Sequence, residues 1–141
     1  MTSSRTIEIQ TRGQGDVRDL TQDVAGFVSE AGIREGIATV FVVGSTAGIT
    51  TLEFESGVVA DLDRAYERIA ARRAEYQHHL RWGDDNGSSH VRAAMLGPSL
   101  TIPIVEGRLT LGTWQQVVLV EFDTGARRRS VVVQLVGTAP H

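Results

Sequence analysis

The sequence predicts an α+β fold, and three observations carry that expectation. Alternating and continuous apolar runs mark strands in the first third of the chain. Two stretches of helical period are interleaved with them, and residues 99–136 read as strands joined by turn signals. At 141 residues, with 41% hydrophobic residues, the chain can bury a core of ordinary size.

Residues 5–11 alternate polar and apolar, the pattern of a half-buried strand, which Gly13-Gln-Gly15 interrupts. Asp19 offers an N-cap for a helix carrying Leu20, Val24, Phe27 and Val28, ending near Gly32. Residues 37–43 are almost continuously apolar, as in a strand buried on both faces. After Gly44-Ser-Thr-Ala-Gly48, residues 49–54 read as another strand. It would place Glu53 and Glu55 on one side. Val58, Leu62, Ala65, Tyr66 and Ile69 then form one stripe of a helix reaching Arg73. A polar, glycine-containing loop follows, then a short helix around His90–Leu96 stopped by Gly97-Pro98. Three strands are expected beyond it, with hairpins at Glu106-Gly107 and at Asp123-Thr-Gly-Ala126.

Composition narrows the function classes. A formal net charge of −3 lacks the basic excess that counterion release from nucleic acid requires, so no nucleic-acid partner is expected. No apolar run approaches the roughly 20 residues that span a bilayer, so no membrane partner is expected either. The first residues lack the apolar core of a signal peptide, and cysteine is absent, so a cytoplasmic location is expected. All fourteen basic residues are arginine, which excludes lysine chemistry and leaves guanidinium as the side-chain ligand for anions.

With no thiol, imidazole and carboxylate are the available strong ligands and acid–base groups. Three of the four histidines are His78, His79 and His90, around Asp84-Asp85-Asn86. Such a cluster suits an open metal site or proton transfer, and equally a solvated loop. Asp84-Asp85 could ligate a metal, though such pairs more often shape turns. The fourth, His141, reads as part of a tail. Ser45 and Thr46 sit in a bend whose hydroxyls and amides could cradle a phosphate, although it is no Walker loop. The run Arg127-Arg-Arg129 could engage an anion or be a solvated charge run. Trp114, with Gln115 and Gln116, interrupts a core-like strand and fits a stacking surface or a subunit contact.

These residues resemble the YjbQ family, also called the secondary thiamine-phosphate synthase enzyme family. The likeness is carried by the run from Leu96 through Leu109-Thr-Leu-Gly-Thr-Trp-Gln-Gln116 to Asp123. Asn86-Gly-Ser-Ser-His90, Tyr76-Gln-His78, Ser45-Thr-Ala-Gly-Ile-Thr-Thr-Leu-Glu53 and Arg128-Arg-Ser-Val-Val-Val-Gln134 extend it over almost the whole chain. The resemblance implies a single domain over 1–141, with an ordered core of about 4–137. It would be an antiparallel or mixed sheet sandwich with two main helices and one short one, assembled as a homotrimer with sites near subunit interfaces. It also implies weak thiamine-phosphate synthase activity, joining a pyrimidine methyl pyrophosphate to a thiazole phosphate. His78, His90 and Glu53 would be the reacting residues, and Ser45, Thr46, Asn86, Trp114 and Gln115 would hold substrate. A divalent metal, Zn or Mg, is expected at His78 and His90. Many relatives begin the strand segment His-Thr-Thr-Ala where this chain has Gly44-Ser45-Thr46-Ala47, so one expected imidazole is missing. His79 is a candidate to compensate. The alternative reading is a non-catalytic trimer that binds a small phosphorylated metabolite or a divalent metal.

Overall fold

The computed structural model describes residues 1–139; His141 lies outside them. The expected strands form, and all pair antiparallel in two sheets. β1 (Thr2–Gln10), β3 (Glu35–Val42), β5 (Ser99–Val105), β6 (Arg108–Leu109) and β8 (Arg128–Thr138) make a five-stranded sheet in the order β1-β8-β3-β5-β6. β2 (Val17–Asp19), β4 (Ala47–Leu52) and β7 (Gln116–Glu121) make a smaller one in the order β2-β7-β4.

The two sheets face each other across the main core. Val40 and Val42, Val131, Val133 and Leu135, and Ile102 and Ile104 come from the large sheet; Ala47, Ile49, Val117 and Leu119 come from the small one. Helix α1 (Thr21–Ala31) adds Val24, Phe27 and Val28 to the same core. Each of the Val, Ile, Leu and Phe side chains among them contributes about 1.5–3 kcal/mol on burial. Asp19 is not the N-cap that the sequence suggests. Leu20 holds that position without a side-chain cap, and Asp19, at the end of β2, accepts the Thr21 amide at 2.9 Å from one residue earlier.

A second core lies on the other side of the small sheet. Val118 and Val120 of β7 meet Phe122, Tyr66 of α2 (Ser56–Ile69) and Ala93 of α4 (Gly87–Leu96). Strand β7 is therefore buried on both faces, which explains why Val117–Val120 is apolar without alternation. The layers are large sheet, small sheet, then α2 and α4. The outer face of the large sheet is exposed and carries Ile37, Phe41, Val105 and Val136.

The α+β class holds, with local differences from the sequence reading: β2 is not among the expected strands, and four strands rather than three follow residue 98. The segment read as a histidine-rich loop contains a helix, α3 (Gln77–Trp82). Its six residues are too few for a stripe, and Leu80 and Trp82 point to solvent. Glu55 is not a strand residue beside Glu53. β4 ends at Leu52, and the Glu55 carboxylate caps α2 by accepting the Gly57 and Val58 amides at 2.8 and 2.9 Å. Those two bonds hold its pKa below the usual range. The Glu106-Gly107 turn does form a hairpin, with φ of 53° and 79° at its two residues, the left-handed pair such a turn requires. The Asp123–Ala126 turn does not: β7 and β8 lie in different sheets, and the chain crosses from one to the other there.

Candidate functional site

Tyr76 sets the site's frame. It precedes α3, donates its hydroxyl to the Ala71 carbonyl, and packs so closely on Gly87 that a Cβ there would lie 2.5 Å from its own. The first turns of α3 and α4 are thereby brought together. His78 and His90 stack with ring centroids 4.5 Å apart at 38°. Nδ1 of His78 is buried and sits 3.2 Å from Asp84 Oδ1, without an aligned hydrogen bond. His79 is turned away: its Nδ1 meets the Asp84 carbonyl and lies 3.5 Å from Asp85 Oδ1. Asp84 is thus a turn former whose side chain also reaches a candidate catalytic imidazole.

Behind the pair lies a buried polar network that joins α4 to both sheets. Asn86, just before α4, donates its side-chain amide to Asp123 Oδ2 at 3.2 Å and accepts the Thr124 amide at 3.3 Å. Thr46 donates to the same Asp123 oxygen at 2.9 Å. Asp123 is 3% exposed. Burial alone would raise its pKa. Hydrogen bonds from Gly125, Asn86 and Thr46 and the Arg127 charge outweigh it and bring the carboxyl down to about 2. Glu121, fully buried, accepts Thr11 at 2.7 Å and Arg129 Nε at 2.8 Å. The side chains of Thr46 and Asn86 are therefore committed to the protein, while Ser45 stays exposed.

Arg129 and Glu121 were legible in part. Period two puts Arg129 on the face of Val131, Val133 and Leu135, and Glu121 on that of Val117 and Leu119. Opposite charges on two core faces call for each other. The three-arginine run disguised this by resembling a solvated patch. Arg92, 2% exposed, is a further buried cation that the sequence reading missed. It donates to the Ala70 carbonyl at 2.9 Å and to Glu67 at 2.7 Å, and so ties α4 to the end of α2.

The remaining candidates lie elsewhere. Glu53 is exposed one residue beyond β4, and Trp114 is 73% exposed in the β6–β7 connection. Gln115 is spent on that connection: its Oε1 accepts the Gly112 amide at 3.0 Å, and its Nε2 donates to Thr51 at 3.1 Å. Gln116 likewise accepts the Phe54 amide at 2.8 Å. The β4–β7 ladder runs from Ala47↔Glu121, beside the Asn86 network, to Leu52↔Gln116, beside the tryptophan. Its six residue pairs span about 17 Å. One chain thus joins His78 to His90 but holds Glu53 and Trp114 at the other end of a strand.

The described residues of one chain do not by themselves assemble a divalent-metal site. Among the described residues no three His, Asp or Glu side chains are arranged to hold one. The histidine pair is stacked rather than convergent, and a zinc site takes three or more protein ligands. Two open clefts flank the region. One of about 700 Å³ is lined by Arg72, Arg73, Tyr76, His79, Gly87 and Thr124. The other, about 760 Å³ along α2, is lined by Phe54, Glu55, Val59, Asp63 and Arg72.

Comparison with known proteins identifies the chain's relatives. The family model described as "UPF0047 protein YjbQ-like" matches residues 5–138. A UPF0047 protein of Methanothermobacter thermautotrophicus is 35% identical over 95% of this chain and 92% of its own length. A UPF0047 protein of Bacillus subtilis, YugU, is 31% identical over 94% and 98%. Among solved structures, a "YbjQ-like protein of unknown function" from Sulfolobus solfataricus superposes with a TM-score of 0.88 at 31% identity. It covers 98% of this chain and 100% of its own. An uncharacterised YjbQ/UPF0047 protein from Clostridium acetobutylicum gives 0.81 at 32% identity, over 92% and 99%.

Proposed function

The chain belongs to the YjbQ-like UPF0047 family, and from that premise we propose that it is an enzyme of the thiamine-phosphate synthase type. It would join a pyrimidine methyl pyrophosphate to a thiazole phosphate. The thiazole nitrogen forms a bond to the methylene carbon as the carbon–oxygen bond to pyrophosphate breaks, and no net proton is consumed. The observation that carries this reading is the stacked His78–His90 pair with Asp84 at 3.2 Å. Negative charge accumulates on the departing oxygen, and an imidazole N–H placed beside it can donate to it, with the Asp84 carboxylate close to His78. Under this reading His90→Ala lowers pyrophosphate release from the two precursors by about 100-fold, measured by a coupled phosphate assay. Release unchanged in that variant, or undetectable in the wild type, overturns the reading.

The proposed working form is a cytoplasmic homotrimer with the site between subunits. Two observations support it: the exposed apolar outer face of the large sheet, and the separation of Trp114 and Glu53 from the histidines within one chain. No described helix is long and apolar enough to cross a membrane. A second reading, a non-catalytic trimer holding a small phosphorylated molecule, is favoured by Gly44-Ser45, where an imidazole of the family pattern is missing. It predicts that wild type and His90→Ala retain a phosphorylated ligand equally and release no pyrophosphate.

A further inference from the structure

We propose that the Gly44–Thr46 bend and the buried guanidinium of Arg129 form the subsite that binds a phosphoryl group. This rests on the reading that the protein takes a small phosphorylated molecule, and it adds to Ser45 and Thr46 two residues to which the family likeness gives no such role, Gly44 and Arg129. Arg129 is 6% exposed. Its Nε donates to Glu121, and its Nη2 donates to Glu121 and, at 2.7 Å, to Thr46. Nη1 finds no acceptor among the described residues. It lies directly beneath Gly44, where a Cβ would sit 2.8 Å from it. Gly44 has a φ of +135°, a conformation that disfavours other residues, so glycine here both permits the bend and leaves Nη1 uncovered.

The bend supplies the other donors. The backbone N–H groups of Gly44, Ser45 and Thr46 make no hydrogen bond among the described residues, and the exposed Ser45 hydroxyl is unpaired too. Consecutive free amides in a bend make an anion-binding concavity. Glu121 neutralises one edge of the guanidinium and fixes its plane, so the remaining edge is held in place before a ligand arrives. The site is next to the proposed chemistry, because Thr46 links through Asp123 and Asn86 to the first turn of α4, which carries His90.

Titration calorimetry with inorganic pyrophosphate, at low ionic strength, tests the assignment. Saturable binding is expected, weakened about tenfold by Gly44→Ala and about threefold by Ser45→Ala. Arg128→Gln, which removes an exposed arginine of the same run, is expected to stay within about twofold. Should Gly44→Ala fail to fold, the Ser45→Ala affinity and the Arg129 side-chain nitrogen signals still decide. Those signals should move when pyrophosphate is added to the ¹⁵N-labelled wild type. Binding that Arg128→Gln weakens as much as Gly44→Ala, equal affinity for acetate, or unmoved Arg129 signals each overturn the subsite. Its failure is distinguishable from that of the enzyme reading. Turnover with Gly44-independent affinity sinks the subsite alone, and pyrophosphate binding without turnover sinks the enzyme alone.

Discussion

At the scale of single residues, Asp123 makes the clearest prediction. Its carboxyl titrates at about 2 in the folded protein, against an ordinary 3.8. Folding therefore favours the ionised form. The stabilisation is complete above about pH 4 and is lost as the pH falls through about 2, because the unfolded chain then binds the proton first. Urea unfolding should show Asp123→Asn less stable than wild type by about 2 kcal/mol at pH 7, with the gap closing between pH 4 and 2. A gap constant across that range would mean the carboxylate charge does not matter. The histidines were legible as chemistry because a cysteine-free chain concentrates them in one polar stretch. Which of them pair was not: His78 and His90 meet only because Tyr76 packs against Gly87, a contact that no spacing rule encodes. Thr46 and Gln115 looked like ligands for the same reason. Polar side chains in glycine-containing segments advertise function whether they face a substrate or their own backbone.

Among elements, the long ones were legible and the connections were not. Helix α2 follows its periodicity closely, whereas β3, read as buried on both faces, leaves Ile37 and Phe41 exposed on one, and β4 runs two residues earlier than its apolar pattern suggests. The switch of the chain from the small sheet to the large one after β7 carries the same turn residues as a hairpin, so local chemistry could not reveal it. Helix α3 is stabilised by its neighbours rather than by an apolar stripe. Arg92 is the main polar fastening between α4 and α2, because it satisfies the terminal Ala70 carbonyl and pairs with Glu67. Arg92→Ala should lower stability by about 3 kcal/mol, since it removes a buried charged donor and empties its space. Thermal melting about 10 °C below wild type is the expected readout. A change of less than about 2 °C would show that solvent replaces the arginine without cost.

For the whole molecule, the notable surface is the outer face of the large sheet. Ile37, Phe41, Val43, Val105 and Val136 are each 41–53% exposed, on a face that soluble monomers usually make polar. If three copies cover it, as proposed, Phe41→Asp should convert a three-chain species into monomers in sedimentation velocity. The same variant should lose pyrophosphate release while keeping its circular dichroism spectrum. A wild type that sediments as one chain would overturn the assembly. The apolar run 37–43 marks a strand covered on both faces, but a sequence pattern cannot tell whether the cover comes from the same chain or from another copy.

The strand order has a consequence for biosynthesis. β8 is the last of the described strands, yet it lies between β1 and β3, the first two members of its sheet. While residues 128–138 are still to be translated, β1 has no partner and β3 exposes one hydrogen-bonding edge. The nascent polypeptide must carry these open edges through most of its synthesis, which is when chaperones guard a chain against edge-to-edge aggregation. Pairing of β1 with β8 across nearly the full length of the chain then closes the sheet late, and a slow final folding step follows from that separation.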